Sequence, residues 1–344
     1  MMRLPQFEYR APRTAREAAK ILAAEGPEAM LVAGGTDLLP NMKRRQQVPK
    51  VLVGLRSVAK MQEVRAGREL ALGAGISLTG LVRNARVKEH YSGLWQAAAQ
   101  IATPHLRNMG TLGGNLCLDT RCNYYDQNYE WRKAIDFCMK KDGKVCWVAT
   151  GSPKCLAVSS TDSAPALISL GARVRLVSAS GNRVVPLADL YENDGIHYLT
   201  RRGDEVLTEV LLGSARGWKS TYWKLRRRGS FDFPVLSVAA AARFGRRGVV
   251  EEARVVLGAV ASRPLPAHEA SSALVGKTLS DASIEEAATL ASHLAKPMDN
   301  TDFALHWRKR VSRDFVGYAL RELRGDDMRE VRTRIARHSL LEIA

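Results

Sequence analysis

Apolar and polar positions open this chain as a strand, a helix and a strand. Thr14 and Glu17 form a capping box before the apolar helical positions Ala18, Ile21 and Leu22, and Gly26 follows the last turn. Residues 29–33 are an apolar run that ends in Gly34-Gly35, and residues 48–55 predict a further strand after the polar KRRQQ stretch. A second unit begins near Arg56, where RELALGAG alternates like a strand, residues 94–101 predict a helix, and the loop TPHLRNMGTLGGN follows. From 116 to about 157 the periodicity dissolves, and it resumes at Ala164 with strand-like runs at 172–177 and 205–212.

A third unit starts near Thr221. SVAAAARF and EARVVLGAV predict two strands around the turn GRRG, followed by helices over 284–294 and from about 302. In the second of these, Trp307, Val311, Phe315, Tyr318 and Leu323 recur at helical spacing. The pattern is α+β, divided at 1–55, 56–217 and 218–344, with an irregular insertion at about 117–156.

Composition supports a packed protein: 46% of the 344 residues are hydrophobic and 25% charged. No window approaches the roughly 20 apolar residues of a membrane span, and the first residues hold no signal-peptide core, so a cytoplasmic protein is expected. The net charge of +17 is spread out, in clusters no longer than those at 43–45 and 226–228. Without a basic tail or an aromatic-interleaved strip, it suits an acidic protein partner or neighbouring subunits better than nucleic acid.

Two loops carry candidate chemistry, AGGTD at 33–37 and TLGGN at 111–115. Paired glycines at the end of an apolar run let successive N–H groups close on a phosphate, and a threonine adds a hydroxyl; two such loops suit a diphosphate. Each loop taken alone is equally explained as a tight turn. GAGISLTG at 73–80 has its third glycine two residues late for a dinucleotide fingerprint, and VGKT at 275–278 lacks the first glycine of a phosphate loop.

All five cysteines, at 117, 122, 138, 146 and 155, fall within 39 consecutive residues. Isolated core cysteines would scatter, so ligation of a metal or cluster is the favoured reading. The gaps of 4, 15, 7 and 8 residues match neither paired zinc ligands nor a ferredoxin run, so spacing does not name the metal. Cys117 adjoins Gly113-Gly114-Asn115, which leaves the other four as the natural ligand set. Tyr124, Tyr125, Tyr129, Trp131, Phe137 and Trp147 are expected to shield them, and lysines 133, 140, 141, 144 and 154 to offset their charge.

At its glycine loops, and in TDSAPALISLGA and YWKLRRRGSFDFPVLSVAAAA, the chain resembles the flavoprotein subunits of the xanthine dehydrogenase and carbon monoxide dehydrogenase family. The resemblance implies a vanillyl-alcohol-oxidase-like, two-part FAD-binding domain and a C-terminal α/β domain with an antiparallel sheet. It implies that Val32, Ala33, Gly34, Gly35, Thr36 and Asp37, with Thr111, Leu112, Gly113, Gly114 and Asn115, hold the FAD diphosphate. It further implies that Asp162 bonds the sugar portion, that Lys224 lies near the isoalloxazine ring, and that Ile101 and Leu207 are apolar contacts. Read without it, Asp162 is equally a helix cap, Lys224 a surface charge, and the two apolar residues core.

The insertion, with CLDTRCNYYDQ and KKDGKVC, is similar to that of the 4-hydroxybenzoyl-CoA reductase branch. That likeness implies a [4Fe-4S] cluster on Cys122, Cys138, Cys146 and Cys155. It also implies ferredoxin as electron donor, and partner subunits carrying two-iron clusters and the molybdenum cofactor, assembled as a dimer of heterotrimers. The rivals are a flavoprotein subunit of another molybdenum hydroxylase and a basic nucleic-acid-binding protein with a structural zinc.

Overall fold

The computed structural model of the protein describes residues 3–341. Thr14 begins the first helix as expected: its Oγ1 accepts from the Glu17 N–H at 3.1 Å. The Glu17 carboxylate reaches back to the N–H of Arg13, at 2.9 Å, one residue earlier than a capping box predicts. The helix, Ala15–Glu25, buries Ala18, Ala19 and Leu22 and stops at Gly26, whose φ of +58° an L side chain rarely adopts. It packs on a parallel sheet of β1 (Glu8–Arg10), β2 (Ala29–Val32) and β3 (Val51–Gly54) in the order β1-β3-β2. β3 is shorter than the apolar run at 48–55, because only residues 51–54 are flanked by partner strands and Val48 stays exposed.

The second sheet is antiparallel, with β4 (Val64–Ala66), β5 (Leu70–Gly73), β6 (Arg173–Val177), β7 (Asn182–Pro186) and β8 (Val206–Leu212) in the order β4-β5-β8-β6-β7. β8 is central and buries every side chain but Glu209, whose carboxylate takes Arg65 and Arg175. β5 and β8 are neighbours in the sheet but far apart in sequence. The long excursion between them carries TLGGN, the cysteines and Asp162, so those segments reach one end of the molecule together.

The third sheet is antiparallel as well: β9 (Trp218–Leu225), β10 (Leu236–Phe244), β11 (Val250–Gly258) and β12 (Leu265–Pro266) in the order β12-β11-β10-β9. β10 and β11 are the two strands read from the sequence, and Arg247 and Gly248 turn between them with φ of +58° and +73°. Helices His268–Leu274 and Leu305–Arg324 lie on this sheet and Asp281–Leu294 packs against both, with Phe315 and Tyr318 against Trp223. A last helix, Arg329–Leu341, escaped the sequence reading; its Arg332 stacks 4.0 Å from the Trp223 ring and pairs with Glu322 at 2.6 Å. β9 is also the seam with the second unit, where Ser220 Oγ accepts from Gly93 N at 3.0 Å and Gln96 Oε1 from Tyr222 N at 2.7 Å. The architecture is the α+β fold expected, two sheet-bearing parts and a C-terminal antiparallel sheet with helices.

Candidate flavin and cysteine sites

The two glycine loops meet. Val32 ends β2, and residues 33–37 lead into helix Leu38–Lys43 with Gly35 at φ +71°. A Cβ on Gly34 would overlap the Met109 carbonyl, and one on Gly110 would lie 3.4 Å from Thr36 Oγ1, so the first loop presses on the residues just before the second. Among the described residues, no protein acceptor is recorded for the N–H groups of Gly34, Gly35, Thr36 or Asp37. Four consecutive unpaired, half-buried donors fit an anion.

The second loop differs. Its residues start a short helix, Leu112–Leu116, in which Thr111 Oγ1 accepts from Gly114 N at 3.1 Å and Gly113 N donates to Ala74 O at 2.7 Å. Leu112 N and Asn115 N donate to Ile76 O and Thr111 O. These amides are engaged within the protein, so the first loop is the one that offers free donors.

Asn115 ties the second loop to the next segment: its Oδ1 accepts from Thr161 Oγ1 at 2.9 Å, Ser163 N at 3.0 Å and Ser163 Oγ at 2.5 Å. Asp162 therefore stands beside this loop. It precedes helix Ser163–Ser169 yet makes no capping bond; its carboxylate accepts from Tyr222 Oη at 2.6 Å and from Lys224 Nζ at 3.1 Å. Lys224 is no surface charge either: it is 5% exposed and also donates to Gln100 O at 3.2 Å. Burial pushes the Asp162 carboxyl up and the Lys224 ammonium down, and their mutual attraction opposes both shifts. Ile101 is buried directly after Gln100, whereas Leu207 sits in the main core on β8, beneath helix Leu112–Leu116.

The insertion leaves and rejoins the fold at one antiparallel bridge, where Arg121 N donates to Val158 O at 2.8 Å and Val158 N to Arg121 O at 2.7 Å. Inside it, Cys122, Cys138, Cys146 and Cys155 are buried and line one small cavity. Cys117 is not among the lining residues; it ends helix Leu112–Leu116. Among the described residues no group of three or more His, Cys, Asp or Glu is placed to hold a metal ion. Burial pushes Cys122 up to about 12 and Cys155 up to about 11, so as free thiols both are protonated at neutral pH and a ligand must displace their protons.

Not all of the expected shield forms. Tyr124, Tyr125 and Trp147 line the cavity, but Tyr129 and Phe137 stack on each other at 5.7 Å, and Tyr129 and Trp131 are about 40% exposed. Both stacked rings lie instead within 6.0 Å of the Arg132 guanidinium, which is 1% exposed. Of the five lysines only Lys140 reaches the cavity.

Three contributors were invisible in the sequence. Gly195 lies far along the chain, yet a Cβ there would stand 2.6 Å from Cys155 Sγ. Its N–H donates to Cys155 O at 2.9 Å. Arg121 joins the two sites: its guanidinium pairs with Asp37 of the first glycine loop and with Asp126 at 3.2 Å, and Asp126 accepts from Cys122 N at 3.2 Å. Asn300 brings in the C-terminal unit, accepting from Asn123 N at 2.9 Å and donating to Leu156 O at 2.6 Å. A larger depression, about 510 Å³, is lined by Arg68, Arg86 and Arg216 and shares no residue with either site.

Comparison with known proteins bears on the flavin-binding fold. Residues 5–213 match the FAD binding domain in molybdopterin dehydrogenase, and residues 220–323 the CO dehydrogenase flavoprotein C-terminal domain. The FAD-binding subunit PaoB of an Escherichia coli aldehyde oxidoreductase is 34% identical over 270 residues, spanning 75% of this chain and 82% of that one. The carbon monoxide dehydrogenase medium chain of Afipia carboxidovorans is 26% identical, covering 89% of this chain and 92% of its own. Among solved structures, a carbon monoxide dehydrogenase from Hydrogenophaga pseudoflava superimposes with a TM-score of 0.75 at 25% identity, over 93% of this chain and 97% of that one.

Proposed function

Because this chain belongs to the family of FAD-binding subunits of molybdopterin dehydrogenases, we propose that it is an electron-relay subunit of the 4-hydroxybenzoyl-CoA reductase kind, carrying FAD and, on Cys122, Cys138, Cys146 and Cys155, a [4Fe-4S] cluster. On this reading it passes electrons from a ferredoxin to partner subunits that hold two-iron clusters and the molybdenum cofactor, for reductive removal of the phenolic hydroxyl; the substrate site lies on a partner. The observation that carries it is the set of four buried thiols around one cavity. Four cysteines are the ligand set of a four-iron cluster, and the aromatic rings of Tyr124, Tyr125 and Trp147 beside them suit an electron-transfer centre. When bound, FAD exchanges electrons singly or in pairs, which suits a carrier between one-electron centres.

The chain's own residues then have distinct tasks. The free N–H groups at 34–37 hold the diphosphate, Asn115 fixes the second loop against Asp162, and the buried Asp162 and Lys224 orient the sugar and ring portions. Tyr124, Tyr125 and Trp147 exclude water from the cysteines.

Anaerobic purification with whatever co-elutes, followed by flavin, iron, sulfide and molybdenum analysis, tests the cofactors; four iron and four inorganic sulfide per chain beyond those of the partners' two-iron clusters are expected, and iron that the two-iron clusters fully account for, or zinc in this chain, overturns the reading. If the donor is an acidic ferredoxin drawn to the basic surface, its reduction of the complex slows as salt rises, and a flat salt profile contradicts that docking. A second reading, a flavin subunit of a complex that oxidises its substrate, is favoured by the aldehyde and carbon monoxide relatives. The direction in which the reconstituted complex turns over separates the two.

A further inference from the structure

We propose that Lys140 sets the reduction potential of the centre held by the four cysteines, by presenting it with a fixed, buried positive charge; this rests on the cluster assignment proposed above. Lys140 lines the cavity together with all four cysteines, whereas Asp119, its ion partner, does not. Gly195, whose carbonyl accepts from the Lys140 ammonium, packs against Cys155 Sγ, which puts the charge on the Cys155 side of the cavity. Three acceptors hold the ammonium: Asp119 Oδ1 at 2.8 Å, Thr120 Oγ1 at 2.7 Å and Gly195 O at 2.6 Å. The Tyr125 ring lies 4.9 Å away, and the lysine side chain is 6% exposed. A charge so held cannot swing into water, and in a dry surrounding it acts far more strongly than the exposed or half-exposed Lys133, Lys141, Lys144 and Lys154.

Reduction adds one electron and one negative charge to the centre and makes or breaks no bond. A cation at the cavity wall favours the reduced form, and an anion behind it disfavours that form. Removing each charge must then move the potential in opposite directions.

The test is a redox titration of the anaerobically purified complex with dithionite as electron source, followed by the electron paramagnetic resonance signal of the reduced cluster. Lys140→Met is expected to weaken the hold on the electron about tenfold, a fall of about 59 mV for one electron. Asp119→Asn is expected to raise the midpoint, and Lys140→Arg to leave it near that of the wild type. General loosening of the site would not give shifts of opposite sign. Shifts in the same direction, or none, overturn the proposal. If Lys140→Met fails to load the cluster, the Asp119→Asn and Lys140→Arg midpoints decide alone. If the wild-type complex shows no reducible [4Fe-4S] signal besides those of the partners' two-iron clusters, the cluster assignment itself fails, which is a different result from a four-iron signal that ignores both charges.

Discussion

At the scale of single residues, Gly195 shows how a ligand is held from outside its own loop. Its missing Cβ lets the backbone close on Cys155, with Ala157 N only 2.8 Å from where the Cβ would stand. Gly195→Ala should cost about 1–3 kcal/mol by overpacking and should cut the iron content of the purified complex while flavin absorbance stays unchanged. Loss of both together would show that the contact merely holds the fold. The four buried cysteines were legible in the sequence because they cluster; Gly195 was not, since nothing in the local text of YENDGIHY marks a glycine that serves a cysteine forty residues earlier. Lys140 was legible only as one of five basic residues, because what separates it from the rest is burial beside Asp119. Asp162 and Lys224 were each readable as a cap and a surface charge, and it is their pairing with one another that removes those readings.

At the scale of elements, the close approach of the two glycine loops makes Gly34 more sensitive than Gly114. A Cβ on Gly34 runs into main chain at Met109, whereas one on Gly114 meets only the Thr111 hydroxyl, at 3.0 Å. Gly34→Ala is therefore expected to abolish flavin retention and Gly114→Ala to lower it by less than about tenfold, measured as bound flavin after gel filtration. The ladder of β6, β7 and β8 carries a pH dependence. Glu205, just before β8, accepts from Arg183 of β7 at 2.7 and 2.9 Å, and these bonds hold its carboxyl below the ordinary glutamate value of 4.5. A depressed carboxyl contributes stability fully above 4.5 and loses it as the pH falls through its folded value. The thermal midpoint of the wild type should accordingly drop below pH 4.5 more steeply than that of Glu205→Gln; parallel profiles would remove this pair from the acid response. Strands β8, β10 and β11 were readable because their apolar runs are long, and Gly26 and Gly248 because turns need positive φ. The helix Arg329–Leu341 was not, since in its strongly charged sequence only Val331 and Ile335 are seen to pack on the core, beside Arg332 on Trp223.

At the scale of the whole molecule, one guanidinium ties together segments that the sequence keeps apart. Arg121 touches the first glycine loop at Asp37 and the cysteine loop at Asp126, and stacks 4.5 Å over Phe233 of the C-terminal unit. Arg121→Met would leave Asp37 and Asp126 without their shared cation, at a cost of up to about 3–5 kcal/mol for a partly buried pair. Bound flavin and cluster content should fall together in this variant, in contrast to Gly195→Ala; retention of both at wild-type levels would mean that the two sites stand independently. No sequence pattern could announce this junction, because its members come from three units and meet only after the chain has folded.

The Arg121–Val158 bridge closes the insertion at its neck, as a drawstring closes a bag. Everything between these two residues is an excursion whose entry and exit already lie side by side, so a short reverse turn could replace residues 122–157 with no strand having to move. A protein trimmed in this way should still colour yellow with flavin but carry no iron.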